Sequence, residues 1–381
     1  MVSCMVAISE LLITLYFRVY IMNILYLITG LGGGGAEKVV VDLADQMHLR
    51  GHRVKIAYLK GEVIVKPQSA DIELICLELN RITQMRHAFK KFKSIIKQFK
   101  PDVVHAHMVH ANIFARLVRK FIGFPRLICT AHNSNEGGLL RMLAYRYTNN
   151  LSDINTNVSK EATESFQKKK AFDSTAITIY NGIDLNKFRK KVVDKNIILS
   201  NQVNLNQKII LAVGRLNEQK DYPNLLKAIS LLKENSSEDF KLLIAGDGEQ
   251  KKAIEELISK LNLDNDVILL GRRNDIAELM SIADYFVLSS AFEGFGLVVA
   301  EAMACETFVV ATDCGGVKEV MGGYGLMASP KDSKELADQL RKAINMPLNA
   351  RLENNRKALN YVHENFDLEK TTLQWLKIYE S

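Results

Sequence analysis

From residue 22 onward, apolar positions fall into two kinds of pattern. Short continuous runs of Ile, Leu and Val alternate with longer stretches in which apolar residues return every three or four positions. The continuous runs cover 23–29, 52–59, 71–79, 101–108, 126–133, 154–159 and 177–184, and the first helical pattern stops at Gly51. Uninterrupted apolar runs suit strands covered on both faces, and their alternation with helices predicts a parallel sheet. The polar stretch 190–207 reads as a linker, after which the alternation resumes at 208–214, 240–248, 267–271, 283–290 and 307–313. Two α/β, Rossmann-like halves are therefore expected, as suits 381 residues, more than one ordinary core. A last helix over 367–380 carries the single tryptophan, Trp375, read as a packing anchor that docks it across the first half.

Charge divides the halves. The first 190 residues carry 27 Lys and Arg against 15 Asp and Glu, and the remainder carry 23 against 28. The densest basic run, Arg86–Lys100, interleaves Phe89, Phe92, Ile95, Ile96 and Phe99 with lysines. It reads either as an amphipathic surface helix with its stripe in the core, or as a patch resting on anionic headgroups. No nucleic-acid recognition motif accompanies it. The 5 cysteines are scattered, with no paired spacing and no neighbouring His, so neither a disulfide framework nor a zinc site is indicated and a reducing compartment is expected. Residues 1–21 are apolar but broken by Glu10 and Arg18, which suits a weak interfacial anchor or a mis-assigned start, with Met22 opening the fold.

Gly30, Gly32 and Gly35 satisfy G-x-G-x-x-G between a strand and a helix, the place of a dinucleotide fingerprint. A nicotinamide site would also want an acidic residue at the end of the second strand, where this chain has Lys60. The glycines Gly33, Gly34 and Gly35 read instead as a clearance loop that lets backbone and a helix N-terminus approach a sugar diphosphate.

The most specific stretch lies late, over 289–320. Glu293 sits in a loop after a strand, and Glu301 eight positions later lies about one turn into the helix which that loop opens. Between them, Gly294, Phe295 and Gly296 lead into Leu297 and Val298, whose backbone N–H groups would face outward as an anion site. Upstream, Arg215 and Lys220 follow the end of another strand, where a guanidinium and an ammonium can neutralise a leaving diphosphate. In the first half, His105 and His107 share one face of a strand, with His110 just beyond and His132 at the end of the next. None has the cysteine or carboxylate companions of a metal site.

On the stretches GLGGGGAEKVV, PDVVHAHMVHA, TAHN, NGID, VGRLNEQKDYPNLLKA, LLIAGDG, VILLGRRNDI and ADYFVLSSAFEGFGLVVAEAMACETFVVATDCGG, with their pair of glutamates, the chain resembles the retaining glycosyltransferases of family 4 over nearly its whole length from Met22. The resemblance implies the GT-B fold: an acceptor-side domain over 22–186, a nucleotide-sugar domain over 187–365, and a crossover helix over 366–381. It implies that Glu293 contacts the transferred sugar, Glu301 the nucleotide ribose, and Arg215 and Lys220 the diphosphate. By the same resemblance His107 lies near the transferred sugar, and His132 and Asn133 form a weaker acceptor-side set. The expected reaction needs no metal or other cofactor. It moves a hexose or N-acetylhexosamine from a nucleotide diphosphate sugar, with UDP the favoured carrier, to a glycan or lipid-linked glycan. Bacterial surface-polysaccharide assembly, such as lipopolysaccharide or capsule, in the cytoplasm or on the inner face of its membrane, is the setting these features suit. A non-catalytic partner subunit, or an epimerase or phosphorylase of the same fold, stands as the alternative.

Overall fold

A computed structural model describes residues 21–134, 136–194, 207–234 and 239–381. The expected anchor over 1–21 therefore lies, all but its last residue, outside the described residues, as does most of the expected linker over 190–207.

The first sheet contains β1 (Asn23–Ile28), β2 (Arg53–Tyr58), β3 (Glu73–Cys76), β4 (Val103–His107), β5 (Arg126–Ala131), β6 (Ile154–Asn157) and β7 (Ile177–Thr178), in the order β3-β2-β1-β4-β5-β6-β7. Helices α1 (Gly35–Leu49), α2 (Met85–Phe99), α3 (Val109–Arg119), α4 (Leu139–Thr148) and α5 (Lys160–Lys168) connect its strands. The second sheet, in the order β10-β9-β8-β11-β12-β13, is built from β8 (Lys208–Val213), β9 (Phe240–Ala245), β10 (Val267–Gly271), β11 (Tyr285–Leu288), β12 (Phe308–Thr312) and β13 (Leu326–Ala328). Its helices are α6 (Tyr222–Glu234), α7 (Lys251–Lys260), α8 (Ile276–Ile282), α9 (Leu297–Ala304), α10 (Val317–Met321), α11 (Ser333–Ile344) and α12 (Leu348–Asn365). All pairings in both sheets are parallel. Met22 is buried and β1 begins at the next residue. The run over 177–184 forms only the two-residue β7, because the chain then leaves for the second domain.

Helices cover both faces of each sheet, so each domain has two apolar layers. On one side of the first sheet, Leu25, Leu27 and Val104 pack against Phe92 and Ile96 of α2 and Phe114 of α3. The basic run is thus an amphipathic helix with Phe92, Ile95 and Ile96 inward and Lys90 and Lys93 exposed.

The last helix, α13 (Leu368–Glu380), leaves the second domain and lies on the first, with Trp375 and Tyr379 in the same apolar cluster as Ile24, Tyr26 and Val40. Asp367 caps it by accepting from Glu369 N–H. The outgoing and returning crossings are paired with each other: Ile183 N–H donates to Phe366 O at 2.6 Å, and Leu368 N–H donates to Ile183 O at 3.0 Å. Gly182 permits this approach, since a Cβ there would stand 2.6 Å from Leu368 Cα.

Candidate active site

Strand order reverses in both sheets beside the strand that comes first in sequence: β1 lies between β2 and β4, and β8 between β9 and β11. Loops leaving the carboxyl ends of such strands diverge in opposite directions and leave a crevice for ligands. Here the two crevices face each other and enclose a cavity of about 620 Å³. Gly33–Gly35, Lys38 and Asp42 line it from the first domain; Arg215, Lys220, Glu293 and Glu301 line it from the second.

Glu293 is held from three sides. Its Oε1 accepts from Lys220 Nζ at 2.5 Å and from Ser290 Oγ at 2.8 Å, and its Oε2 accepts from Gln219 Nε2 at 3.2 Å. Two of those donors come from the loop after β8, so the carboxylate is oriented by the loop that also carries Arg215 and Lys220. Gln219 and Ser290 carry no motif in the sequence, and only the folded loops bring them to Glu293. Arg215 reaches across the crevice, donating from Nη2 to Gly32 O at 2.8 Å.

Glu301 is buried at the back of the cavity. Burial lifts its carboxyl to about 7; the Asp42 charge adds to the rise, while Lys38, Lys187 and Lys220 oppose it. Lys38 is salt-bridged to Asp42 at 2.5 Å and stands over the Phe188 ring. Burial works against the Lys38 charge, but Asp42 and Glu301 outweigh it and leave the ammonium with a raised pKa. A ribose placed here would meet acceptor and donor groups side by side.

Two helices point uncapped ends at the crevice. Gly34 and Gly296, the residues before α1 and α9, offer no side chain to the first-turn amides. At α1 the Glu37 carboxylate folds back against Gly34, where a Cβ would stand 2.5 Å from its Oε2. A diphosphate at that helix would have to displace this side chain. At α9, Leu297 and Val298 line the cavity with the amides of the first turn.

Three expected contacts need correction. Gly294, Phe295 and Gly296 do not line the cavity. The Phe295 ring is buried against Tyr180 and Phe366, an aromatic core contact. Gly294 abuts the first domain so closely that a Cβ would lie 1.7 Å from His132 O, and its own carbonyl accepts from Ser159 Oγ at 2.9 Å. Gly296 has φ of +85°, the left-handed turn that redirects the chain into α9.

The histidines also differ from expectation. His107 does not reach the large cavity; it is buried, with a void of about 10 Å³ at its side. Its Nδ1 is 3.0 Å from His132 Nε2, while Nε2 is buried without a hydrogen-bond partner among the described residues. His105 stacks between His107 and Trp375, with centroid separations of 3.9 and 4.5 Å, and it bonds Tyr379 Oη and Thr130 Oγ1, each at 2.7 Å. Burial holds all three imidazoles below their ordinary pKa, His132 at about 4, so the stack is neutral near pH 7. His132 and Asn133 sit where the first domain touches Gly294, beside the cavity rather than in its wall. His110 lies on α3, away from the crevice, in a separate groove.

The cavity further exposes residues to which the sequence assigned no role: Arg273 and Asn274 in the loop after β10, and Lys187 before β8. Arg273 pairs with Asp275 at 2.5 Å. Among the described residues, no group of three or more His, Cys, Asp or Glu is placed to hold a metal ion.

Two family models divide the chain at the same place as the sheets. "Glycosyltransferase Family 4" matches residues 33–187 and "Glycosyl transferases group 1" matches residues 194–359. A similar relative is the N-acetylgalactosamine-N,N'-diacetylbacillosaminyl-diphospho-undecaprenol 4-alpha-N-acetylgalactosaminyltransferase of Campylobacter jejuni, 27% identical over 335 residues, or 83% of this chain and 88% of that one. The UDP-Gal:alpha-D-GlcNAc-diphosphoundecaprenol alpha-1,3-galactosyltransferase of Escherichia coli is 27% identical over 278 residues, 69% of this chain and 71% of that one. Among solved structures, Anabaena Alr3699/HepE in complex with UDP and glucose superposes with a TM-score of 0.81 at 21% identity, covering 94% of this chain and 99% of that one. The two facing parallel-sheet domains are the GT-B arrangement.

Proposed function

Since this chain belongs to the group 1, family 4 glycosyltransferases, we propose that it moves a hexose or N-acetylhexosamine from a UDP-sugar to a lipid-linked glycan, with retention and without a metal ion. The observation carrying this reading is the cavity between the domains, in which Glu293, held by Lys220, Gln219 and Ser290, faces the glycine loop of the first domain.

In this reading the bond from the anomeric carbon to the diphosphate oxygen breaks, and its electron pair leaves with the nucleotide. Arg215, Lys220 and the first-turn amides of α9 stabilise the charge that gathers there. Those groups can do without a divalent cation what a metal does in other transferases. The acceptor hydroxyl enters on the face the diphosphate leaves, and its proton passes to the departing phosphate. Glu293 Oε2, engaged only by Gln219, is the oxygen left to orient a sugar hydroxyl. Glu301, beside Lys38, takes the ribose.

The lipid-linked acceptor is favoured by the activities of the Campylobacter and Escherichia relatives, and surface-polysaccharide assembly at the inner face of the cytoplasmic membrane suits it. No helix among the described residues is long and apolar enough to cross a membrane. Contact with the membrane is assigned to the lysine face of α2. Exchanging Lys90, Lys91 and Lys93 for Gln should weaken binding to anionic vesicles, and unchanged binding would remove that assignment.

The main test incubates the purified chain with a panel of UDP- and GDP-sugars, with and without EDTA. Donor hydrolysis or transfer that survives the chelator is expected. Turnover that requires added metal would overturn the metal-free mechanism, and no turnover with any donor would overturn the enzymatic reading.

A further inference from the structure

A second concavity, of about 400 Å³, opens on the first domain between the ends of β2 and β3 and helices α2, α3 and α4. Ligand sites commonly enclose about 300–1,000 Å³ and are mostly apolar with a few convergent polar groups. This one has that composition. Met85, Ile113, Phe114, Leu117 and Leu140 supply apolar wall, and Lys60, Arg81, His110 and Arg141 supply the polar atoms. Among the described residues, no Asp or Glu lines it.

Its cations are gathered rather than dispersed. Lys60, His110 and Arg141 line it together; burial lowers the pKa of His110 and the Arg141 and Lys60 charges lower it further, so a neutral imidazole sits with two cations. An anion placed among them would be attracted by Lys60 and Arg141 and would favour protonation of His110. The apolar part is also unusual, because Leu140 is 82% and Ile82 78% exposed beside it. Large apolar side chains collected at a concavity mark a binding surface more often than single ones do.

The groove and the catalytic crevice have no lining residue in common, but one backbone contact links them. Lys60 N–H donates to Thr29 O, and Lys60 O lies against Gly30, the first glycine of the loop that leads into the crevice. Val109 and His110 open α3, two and three residues after His107 ends β4. An anionic group at Lys60 would thus lie near the start of the glycine loop, with Leu117 and Leu140 in the apolar wall of the same groove.

We propose that this groove binds the lipid-diphosphate part of the acceptor, the isoprenoid chain on the apolar wall and the diphosphate between Lys60, His110 and Arg141. The assignment rests on the lipid-linked acceptor reading above. Paired apolar wall and carboxylate-free cationic cluster select an amphipathic anion over a plain lipid or a plain phosphate.

Calorimetric titration of the full chain with farnesyl diphosphate, farnesol and inorganic pyrophosphate tests it, with UDP titrated into the same samples. Farnesyl diphosphate should bind at least tenfold more tightly than either other probe. Leu140→Glu and Arg141→Glu should each weaken it at least fivefold, while Lys90→Glu on the exposed face of α2 should leave it unchanged. The UDP titration reports that each variant is folded. Pyrophosphate binding as tightly as farnesyl diphosphate, or Leu140→Glu without effect, overturns the groove. A chain that binds UDP but no prenyl diphosphate refutes the groove alone, whereas one that binds no UDP refutes the transferase reading on which it rests.

Discussion

Exchanging Glu301 for Gln separates what this carboxylate costs the fold from what it offers a ligand. The group is buried, and its pKa stands at about 7 against an ordinary 4.5, chiefly through loss of hydration. The folded chain thus keeps a proton that the unfolded chain gives up in that interval. Stability must fall as pH rises through that window, because the folded state binds more protons there. A carboxyl moved from 4.5 to about 7 corresponds to roughly 3 kcal/mol, at about 1.36 kcal/mol for each pH unit. Gln has nearly the same shape and no charge to desolvate. Urea unfolding followed from about pH 5 to 8 should therefore show the variant gaining on the parent by ~3 kcal/mol. Over the same range UDP affinity at the alkaline end should drop roughly ten- to a hundredfold, since a hydrogen bond to an ionised acceptor contributes about 1.5–3 kcal/mol. The result is a more stable protein that binds its donor less well. Parallel unfolding profiles from pH 5 to 8 would refute the burial argument, and unchanged UDP affinity would remove Glu301 from the donor site.

Gly294→Ala should destabilise by about 1–3 kcal/mol, because a Cβ 1.7 Å from His132 O forces the domains apart; an unaltered melting temperature would contradict the contact. Tyr379→Phe removes the hydroxyl shared by His105 and Tyr26, and leaving those buried groups unpaired should cost about 1–3 kcal/mol in urea unfolding. His107→Ala should lower kcat while UDP affinity stays the same, since its ring stands outside the donor cavity and beside it. A fully active His107→Ala would place the residue in the core alone.

Alternation of apolar runs was enough to read two parallel-sheet domains, because burial on both faces leaves its mark on every residue of a strand. Glu293, Arg215 and Lys220 follow strand ends and Glu301 lies in the helix that the Glu293 loop opens, so local pattern places all four at one end of the second sheet. Gln219 and Lys38 were not legible, because their importance comes from a partner distant in the chain. Phe295 lies outside the cavity wall because its ring packs inward on Phe366, which sits between the last two helices, far along the chain. The burial of His107 was hidden for a similar reason. The helix that covers its stack arrives from the far end of the sequence, and neither β4 nor its neighbours announce that roof.

The paired crossings at Ile183 and Phe366–Leu368 make the chain leave and re-enter the first domain through a single two-stranded ribbon. A ribbon bends easily across its width but resists torsion, since twisting would shear both hydrogen bonds. The two connections between the halves thus run side by side at one place, at Ile183 and Phe366–Leu368. The ribbon also sets the grafting unit for engineering: a donor half taken from a relative must be inserted between two cuts in this ribbon, leaving residues 368–380 with the half they roof.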